Sequence, residues 1–367
     1  MKKTLALAVA AIGASSLVLA CEEEKKTEPT PATSAAPVAL APTTPAPKLD
    51  DLIAKTLKSA VTAWNAHDVS AVSANYEPTA KLVIWGMPDA VGREAIATNA
   101  KDNFTQSPDF KVAITRTFVH DHTAVFEWVA TGTDNGVVDG RKATGRYRGF
   151  AGANVVTFDD AGLIKEEHRY LDIPTIRSQE DPKAKAGTFR AAIDPIPRST
   201  TEMAVSKGTP DEAKTLTEGT AIYAAIEGKK EGDLAAVLTE GSTIDDYTES
   251  SPHKGIKAIT DYTKGYWTAF PDFTQAKPVQ FAVGNVLVTE GIFSGTQKGP
   301  LGTLKPTNKS VTLHFVDIID IKEGKIARVD TFGNSAEILV PLGAMSAMNP
   351  AAAGAAMAAA TPPKTTK

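Results

Sequence analysis

The feature that most constrains this chain is that it contains one pattern twice. Gly92 with Ala95-Ile96 recurs as Gly255 with Ala258-Ile259, Pro108-Asp109-Phe110 as Pro271-Asp272-Phe273, and Gly132-Thr133 as Gly295-Thr296, each at an offset of 163 residues. Three landmarks at one offset predict two tandem copies of a domain, at a period far longer than that of a solenoid. The copies are expected over 49–172 and 211–343, each long enough for one core of modest size. In the first, Ile53, Leu57, Val61 and Trp64 recur at helical spacing. Asp68 is placed to cap a short second helix, and Asp233 has the same place before Leu234 in the second copy. A third helix follows Gly92, and strand-like runs cover 110–118, 124–131, 146–158 and 163–171. The second copy repeats this order, with helices at 211–227, after Asp233 and at 255–270, and strands at 274–283, 286–294, 310–321 and 325–332. Three helices followed by a run of antiparallel strands is an α+β order, a curved antiparallel sheet wrapped by three helices.

The segments outside the copies have other compositions. Lys2 and Lys3 precede an apolar run that ends in Val18-Leu19-Ala20-Cys21, which is too short for a membrane span and has the form of an export signal over 1–20. The last four residues resemble the bacterial lipobox, and the resemblance implies cleavage before Cys21 and lipidation of that residue, the only cysteine in the chain. Glu22 in the next position implies sorting to the outer membrane rather than retention at the inner one. Loss of residues 1–20 removes two lysines and no acids, so the net charge of −4 becomes −6. No basic stripe accompanies it, which argues against a nucleic-acid partner and assigns membrane attachment to lipid alone. Residues 21–48 form a Pro/Thr/Ala-rich tether, 173–210 a proline-bearing linker, and 344–367 an Ala/Pro tail expected to be disordered.

Strand alternation selects the candidate site residues. In the last strand of the first copy, Ile164, Glu166, His168, Tyr170 and Asp172 are expected to share a face, and in the second copy Ile326, Arg328, Asp330, Phe332 and Asn334. Asp317 stands between Phe315 and Ile319 on a neighbouring strand. His168 with Asp172 is a candidate acid/base pair, as is Asp317 with Asp330. Trp85, Glu127, Tyr170, Tyr247, Arg328, Phe332 and Asn334 complete the candidate ligand-pocket set. Each also has a plainer role open to it, as core, strand end or solvated charge. No metal cluster, phosphate loop, nucleophile elbow or dinucleotide fingerprint is present, so no cofactor is implied.

Gly255 with Ile259, Phe270-Pro271-Asp272-Phe273, Ser294-Gly295-Thr296, Pro306-Thr307-Asn308-Lys309, Val316-Asp317-Ile318, Glu323-Gly324-Lys325-Ile326 and Leu342-Gly343 resemble the SnoaL-like polyketide (ester) cyclase family, within the nuclear transport factor 2-like superfamily of cone-shaped domains. The first copy matches through Gly92, Pro108-Asp109-Phe110, Gly132-Thr133, Thr144-Gly145-Arg146, Gly162-Leu163-Ile164 and Asp172. The resemblance implies a conical pocket beneath each sheet and a late-strand aspartate acting as general acid/base in an aldol ring closure. That position holds Asp172 in the first copy and Asn334, which carries no exchangeable charge, in the second. The family's histidine/tryptophan pair corresponds to Glu167 and His168, and to Val329 and Asp330. Three functions stay open: a lipoprotein binding a small hydrophobic or polyketide-like molecule, an acid/base enzyme of cyclase, isomerase or hydrolase type, and an envelope scaffold. The superfamily also implies pairing of the two domains or a homodimer.

Overall fold

The landmarks that recur at 163 residues are one structural device built twice. Asp109 accepts from Thr133 N and Oγ1, both at 2.7 Å, and Asp272 accepts from Thr296 N at 2.8 Å, so each Pro-Asp-Phe turn is tied to the end of a strand. Gly132 and Gly295 allow that approach: a Cβ on Gly132 would lie 2.8 Å from Cβ of Ser107, and one on Gly295 3.3 Å from Cα of Phe273. Gly92 and Gly255 open the third helix of each copy at φ 81° and 79°, a left-handed conformation that a side chain would strain.

The computed structural model describes residues 47–138, 140–193, 200 and 202–346. The signal, Cys21, most of the tether and most of the C-terminal tail lie outside the described residues. The first copy comprises α1 (Leu49–Ala66), α2 (Val69–Ala74), β1 (Tyr76–Ile84), β2 (Ala90–Val91), α3 (Gly92–Gln106), β3 (Lys111–His120), β4 (Thr123–Thr133), β5 (Tyr147–Phe158), β6 (Ile164–Leu171) and α4 (Ile173–Glu180). After β7 (Ala204–Val205) the second copy follows: α5 (Pro210–Glu227), α6 (Glu231–Ala236), β8 (Thr243–Asp246), β9 (His253–Lys254), α7 (Gly255–Ala269), β10 (Thr274–Val283), β11 (Val286–Thr296), β12 (Ser310–Lys322), β13 (Lys325–Gly333) and α8 (Ala336–Leu342). Local chemistry starts the helices. Asp68 caps α2 through the Ala71 amide, and Thr209 with Glu212 forms a capping box on α5. Asp233 does not cap as expected; it lies inside α6, which starts two residues earlier after Lys230.

Each copy is an α+β domain. The sheets run β2-β1-β6-β5-β4-β3-β7 and β10-β11-β12-β13-β8-β9, antiparallel except for the parallel pairs β1 with β6, β3 with β7 and β13 with β8. One face of each sheet packs on its own helices. The described residues fall in a single compact unit. In it, the other faces of the two sheets meet: Phe118, Val125, Val155 and Tyr170 bury against Phe281, Val288, Val316, Ile318 and Phe332 in one apolar cluster. A volume exchange distinguishes the two interiors. Trp128 pairs with Gly152 across β4 and β5, whereas at the equivalent positions Gly291 pairs with Phe315. Either glycine with a Cβ would collide with its partner's ring, at 2.3 and 2.2 Å, so large and small residues have changed places together.

Candidate functional site

A one-residue bulge decides which side chains look into the first copy. Thr157 pairs with Glu166 but Phe158 pairs with Ile164, leaving Lys165 as an extra residue in β6. Alternation is reset there, so Ile164 shares the interior with Glu167, Arg169 and Leu171, while Glu166, His168 and Tyr170 turn to the other sheet. The same bulge at Ala327 puts Ile326 with Val329 in the second core and sends Arg328, Asp330 and Phe332 to the interface. The expectation that Ile164 and Ile326 mark the face of the polar residues after them is therefore corrected in both copies.

The interior so formed holds a cavity of about 280 Å³ under the first sheet. Its walls are apolar, from Leu57, Val61 and Trp64 on α1 to Ile114, Phe126 and Phe150 on the sheet. Charged side chains interrupt the wall, one group of them around Glu167 on β6. Glu167 Oε1 accepts from Asn154 Nδ2 at 2.8 Å and from Arg169 Nε and Nη2 at 2.9 and 2.6 Å, and Oε2 accepts from the Tyr76 hydroxyl. Trp128 Nε1 in turn holds Asn154 Oδ1 at 2.8 Å, which fixes the amide with its donors toward Glu167. All five residues line the cavity. Burial, reinforced by the adjacent Glu167 carboxylate, pushes the Tyr76 hydroxyl far above its ordinary range, so it stays a donor. The equivalent positions in the second copy carry Leu238, Gly291, Asp317, Val329 and Thr331, with no charge pair.

The sequence-selected residues sit elsewhere. His168 bonds Glu290 through Nδ1 at 2.6 Å and Glu166 through Nε2 at 3.2 Å, and Tyr170 donates to Glu290 at 2.6 Å. Burial alone would lower the His168 pKa, but the bond to Glu290 outweighs it and raises it. Asp172 caps α4 through Thr175 and accepts from Ser335 N and Oγ at 2.8 and 2.6 Å, so it makes no pair with His168. Asn334 reciprocates, donating to the Trp85 carbonyl at 2.8 Å and accepting from Ile173 N. Equivalent residues thus exchange contacts about a local two-fold relation. Trp85 stacks on His314 at 3.5 Å, and Tyr247 stacks on Phe332 at 4.5 Å beneath Arg190. Glu127 is buried beside Arg116, which also reaches Asp330 and Asp320, while Arg328 pairs with Asp330 and Asp245. None of these side chains lines the cavity of the first copy.

Asp317 alone among the four candidate acid/base residues faces a domain interior, where it accepts from Tyr223 at 2.7 Å and Thr331 at 2.8 Å. Asp330 lies on the opposite side of the sheet, so these two are not a pair. Burial pushes Asp317 up to about 6 despite both hydroxyls. A folded pKa above the unfolded one means that stability is greatest with the acid protonated and falls as pH rises from about 4 to about 6. Asp317→Asn is accordingly expected to stabilise the protein by about 1–2 kcal/mol at pH 8, the partial exposure of the group trimming the full linkage value, and to be neutral near pH 4. Thermal melts of both proteins at the two pH values check this; equal differences at both would refute it.

Sequence reasoning passed over Glu167, Arg169, Tyr76 and Asn154 as a group. A signal was present: Asn154 stands 163 residues before Asp317, so the two copies place a polar group at one interior position.

The model of the SnoaL-like polyketide cyclase family matches residues 54–180 and again 220–340, together about two thirds of the chain. The protein belongs to the SnoaL-like polyketide cyclase family, with two copies of its domain in tandem. Among solved structures it is similar to a candidate SnoaL-like polyketide cyclase from Jannaschia sp. CCS1, at 14% identity and a TM-score of 0.36 over 38% of this chain and 99% of that one. It is similar also to AclR, a candidate hydroxylase from Streptomyces galilaeus (18%, TM-score 0.35, 41% and 94%), and to IdmH, a candidate polyketide cyclase from Streptomyces antibioticus (21%, TM-score 0.31, 35% and 96%). No curated protein gives a significant match.

Proposed function

We propose that the cavity of the first copy binds a small, partly hydrophobic molecule of polyketide-like character. The observation that carries this reading is a largely apolar vault of about 280 Å³ with buried charged groups in its wall, among them Glu167 and Arg169, each already bonded to the other. Such a wall accepts apolar bulk and orients it at a few polar places. Filling the space tests it. The chain without residues 1–21, exposed to a bacterial lipid and metabolite extract, is expected to retain a small molecule in native mass spectrometry, and Val61→Trp to release it. Identical spectra for both proteins would remove the reading.

A second reading is acid/base catalysis of cyclase type at the same place. It is favoured by Glu167 Oε2, which accepts only from Tyr76 among the described residues and so has a lone pair left for a proton. Glu167→Gln separates the two, because the amide keeps the shape and loses the base. A binder keeps its ligand and has no turnover to lose; an enzyme keeps the ligand and loses product formation.

Export and anchoring through Cys21 at the outer membrane are proposed on the residues around the lipobox, and pairing of the two copies through their sheets on the contacts of Asp172, Asn334 and Arg116. Cys21→Ser in cells fed an alkyne fatty acid is expected to abolish labelling and release the protein from the membrane fraction. Labelling that persists would refute the anchor.

A further inference from the structure

The cavity has a second polar end. Along β5 the side chains of Arg148, Phe150 and Asn154 all line it, and six residues of strand separate the first from the last, about 20 Å. Asn154 belongs to the Glu167 group, and Phe150 with Trp128, packed edge to face at 5.9 Å, lies between the ends. Arg148 is 6% exposed. Its Nη1 donates to Glu180 at 2.7 Å and its Nη2 to Ser107, but its buried Nε–H has no partner among the described residues. A buried donor without an acceptor is costly, and since Arg148 lines the cavity, a small turn of its guanidinium would offer this N–H to an oxygen there. The guanidinium is itself cationic, so its strongest acceptor is an anionic oxygen. Glu180 is shared by Arg141 at 3.4 Å, Arg148 at 2.7 Å and Arg177 at 2.9 Å, and Arg141 is the only one of the three also paired with Asp134. Exposed Asp102 on α3 is a further acid in the cavity wall, and Glu167 is matched by Arg169.

We infer that the ligand ends in a carboxylate or a comparable oxyanion, which Arg148 Nε receives, with its apolar body against Phe150, Phe126 and Trp128. The inference rests on the binding reading above and names the class of molecule for that same cavity. The volume corresponds to about nine waters, room for an apolar body of on the order of ten heavy atoms.

Decanoate and decanol, identical but for the head group, are suitable probes, and Trp64 and Trp128 in the cavity wall give a fluorescence readout for the full chain. Decanoate is expected to bind at least tenfold more tightly than decanol. Arg148→Met is expected to abolish that preference by weakening decanoate far more than decanol, and Arg148→Lys, which keeps the charge but has no Nε–H, to retain only part of it. Equal affinity of the two probes for the unmodified protein overturns the head-group inference and leaves the cavity reading intact. Failure of both probes to bind, with no ligand retained from extract, overturns the two together. The comparison of head groups on the unmodified protein needs no variant, so a misfolded substitution cannot obscure it.

Discussion

Arg116→Met is expected to destabilise the protein by about 3 kcal/mol, a fall in melting temperature on the order of 5–10 °C. The reason lies in the local two-fold relation. Where His168 of the first copy meets Glu290 of the second, the reciprocal pair is Asp330 and Glu127, two carboxylates. Both are buried, at 3% and 7% exposure, and would repel each other. Arg116 stands between them, with Nε and Nη2 on Glu127 at 2.5 and 2.7 Å and Nη2 on Asp330 at 2.7 Å, and its Nη1 reaches Asp320 at 2.9 Å. Even so, burial and the neighbouring acids leave Glu127 with a raised pKa. Methionine keeps the aliphatic stem and removes the cation, so the loss is electrostatic. Calorimetry at pH 7 checks the size, and the same substitution in an Asp330→Asn background is expected to cost much less. A loss below about 1 kcal/mol in the unmodified background would show that the interface does not depend on this cation.

The second large effect is expected inside the cavity. Glu167→Leu strips Arg169 of its only carboxylate partner among the described residues and leaves Tyr76 and Asn154 without their acceptor, at a cost of about 3–5 kcal/mol. The second copy indicates how the loss is recovered, since it folds with Val329 and Thr331 at these positions. Glu167→Val with Arg169→Thr is therefore expected to regain most of the stability lost by the single change, because a buried ion pair contributes little net stability once both partners are removed together. The double variant is also expected to lose the ligand. Urea unfolding of the single and double variants, with native mass spectrometry of the double, tests both statements. A double variant as unstable as Glu167→Leu would mean that the pair supports the fold itself. Retention of its ligand would mean that the pair takes no part in binding.

Part of the molecule's pH response follows from the same burial. The raised His168 contributes stability below the ordinary histidine range that is lost as pH rises through its folded pKa. Asp172, pushed up by burial to about 6, acts in the same direction between about pH 4 and 6. These interface groups and Asp317 thus all favour the folded state on the acidic side of neutrality.

The sequence by itself determined the duplication, the α+β order of each copy and the family. Those properties depend on local chemistry: helical spacing from Ile53 to Trp64, a left-handed glycine at 92 and 255, and a Pro-Asp-Phe turn tied to a Gly-Thr strand end. It also placed Asp317 correctly between Phe315 and Ile319 on an interior face. It could not place His168, Asp172 and Asp330, because strand alternation holds only while the register is unbroken. Single extra residues at Lys165 and Ala327 reverse it, and nothing in their side chains announces a bulge. Nor does the chain show locally that one copy will cover the polar face of the other. The bonds from His168 to Glu290, Asn334 to Trp85 and Arg116 to Asp330 join residues more than a hundred positions apart. Only the tertiary structure decided that these residues bind the two copies together, and that Glu167 and Arg169 face the cavity.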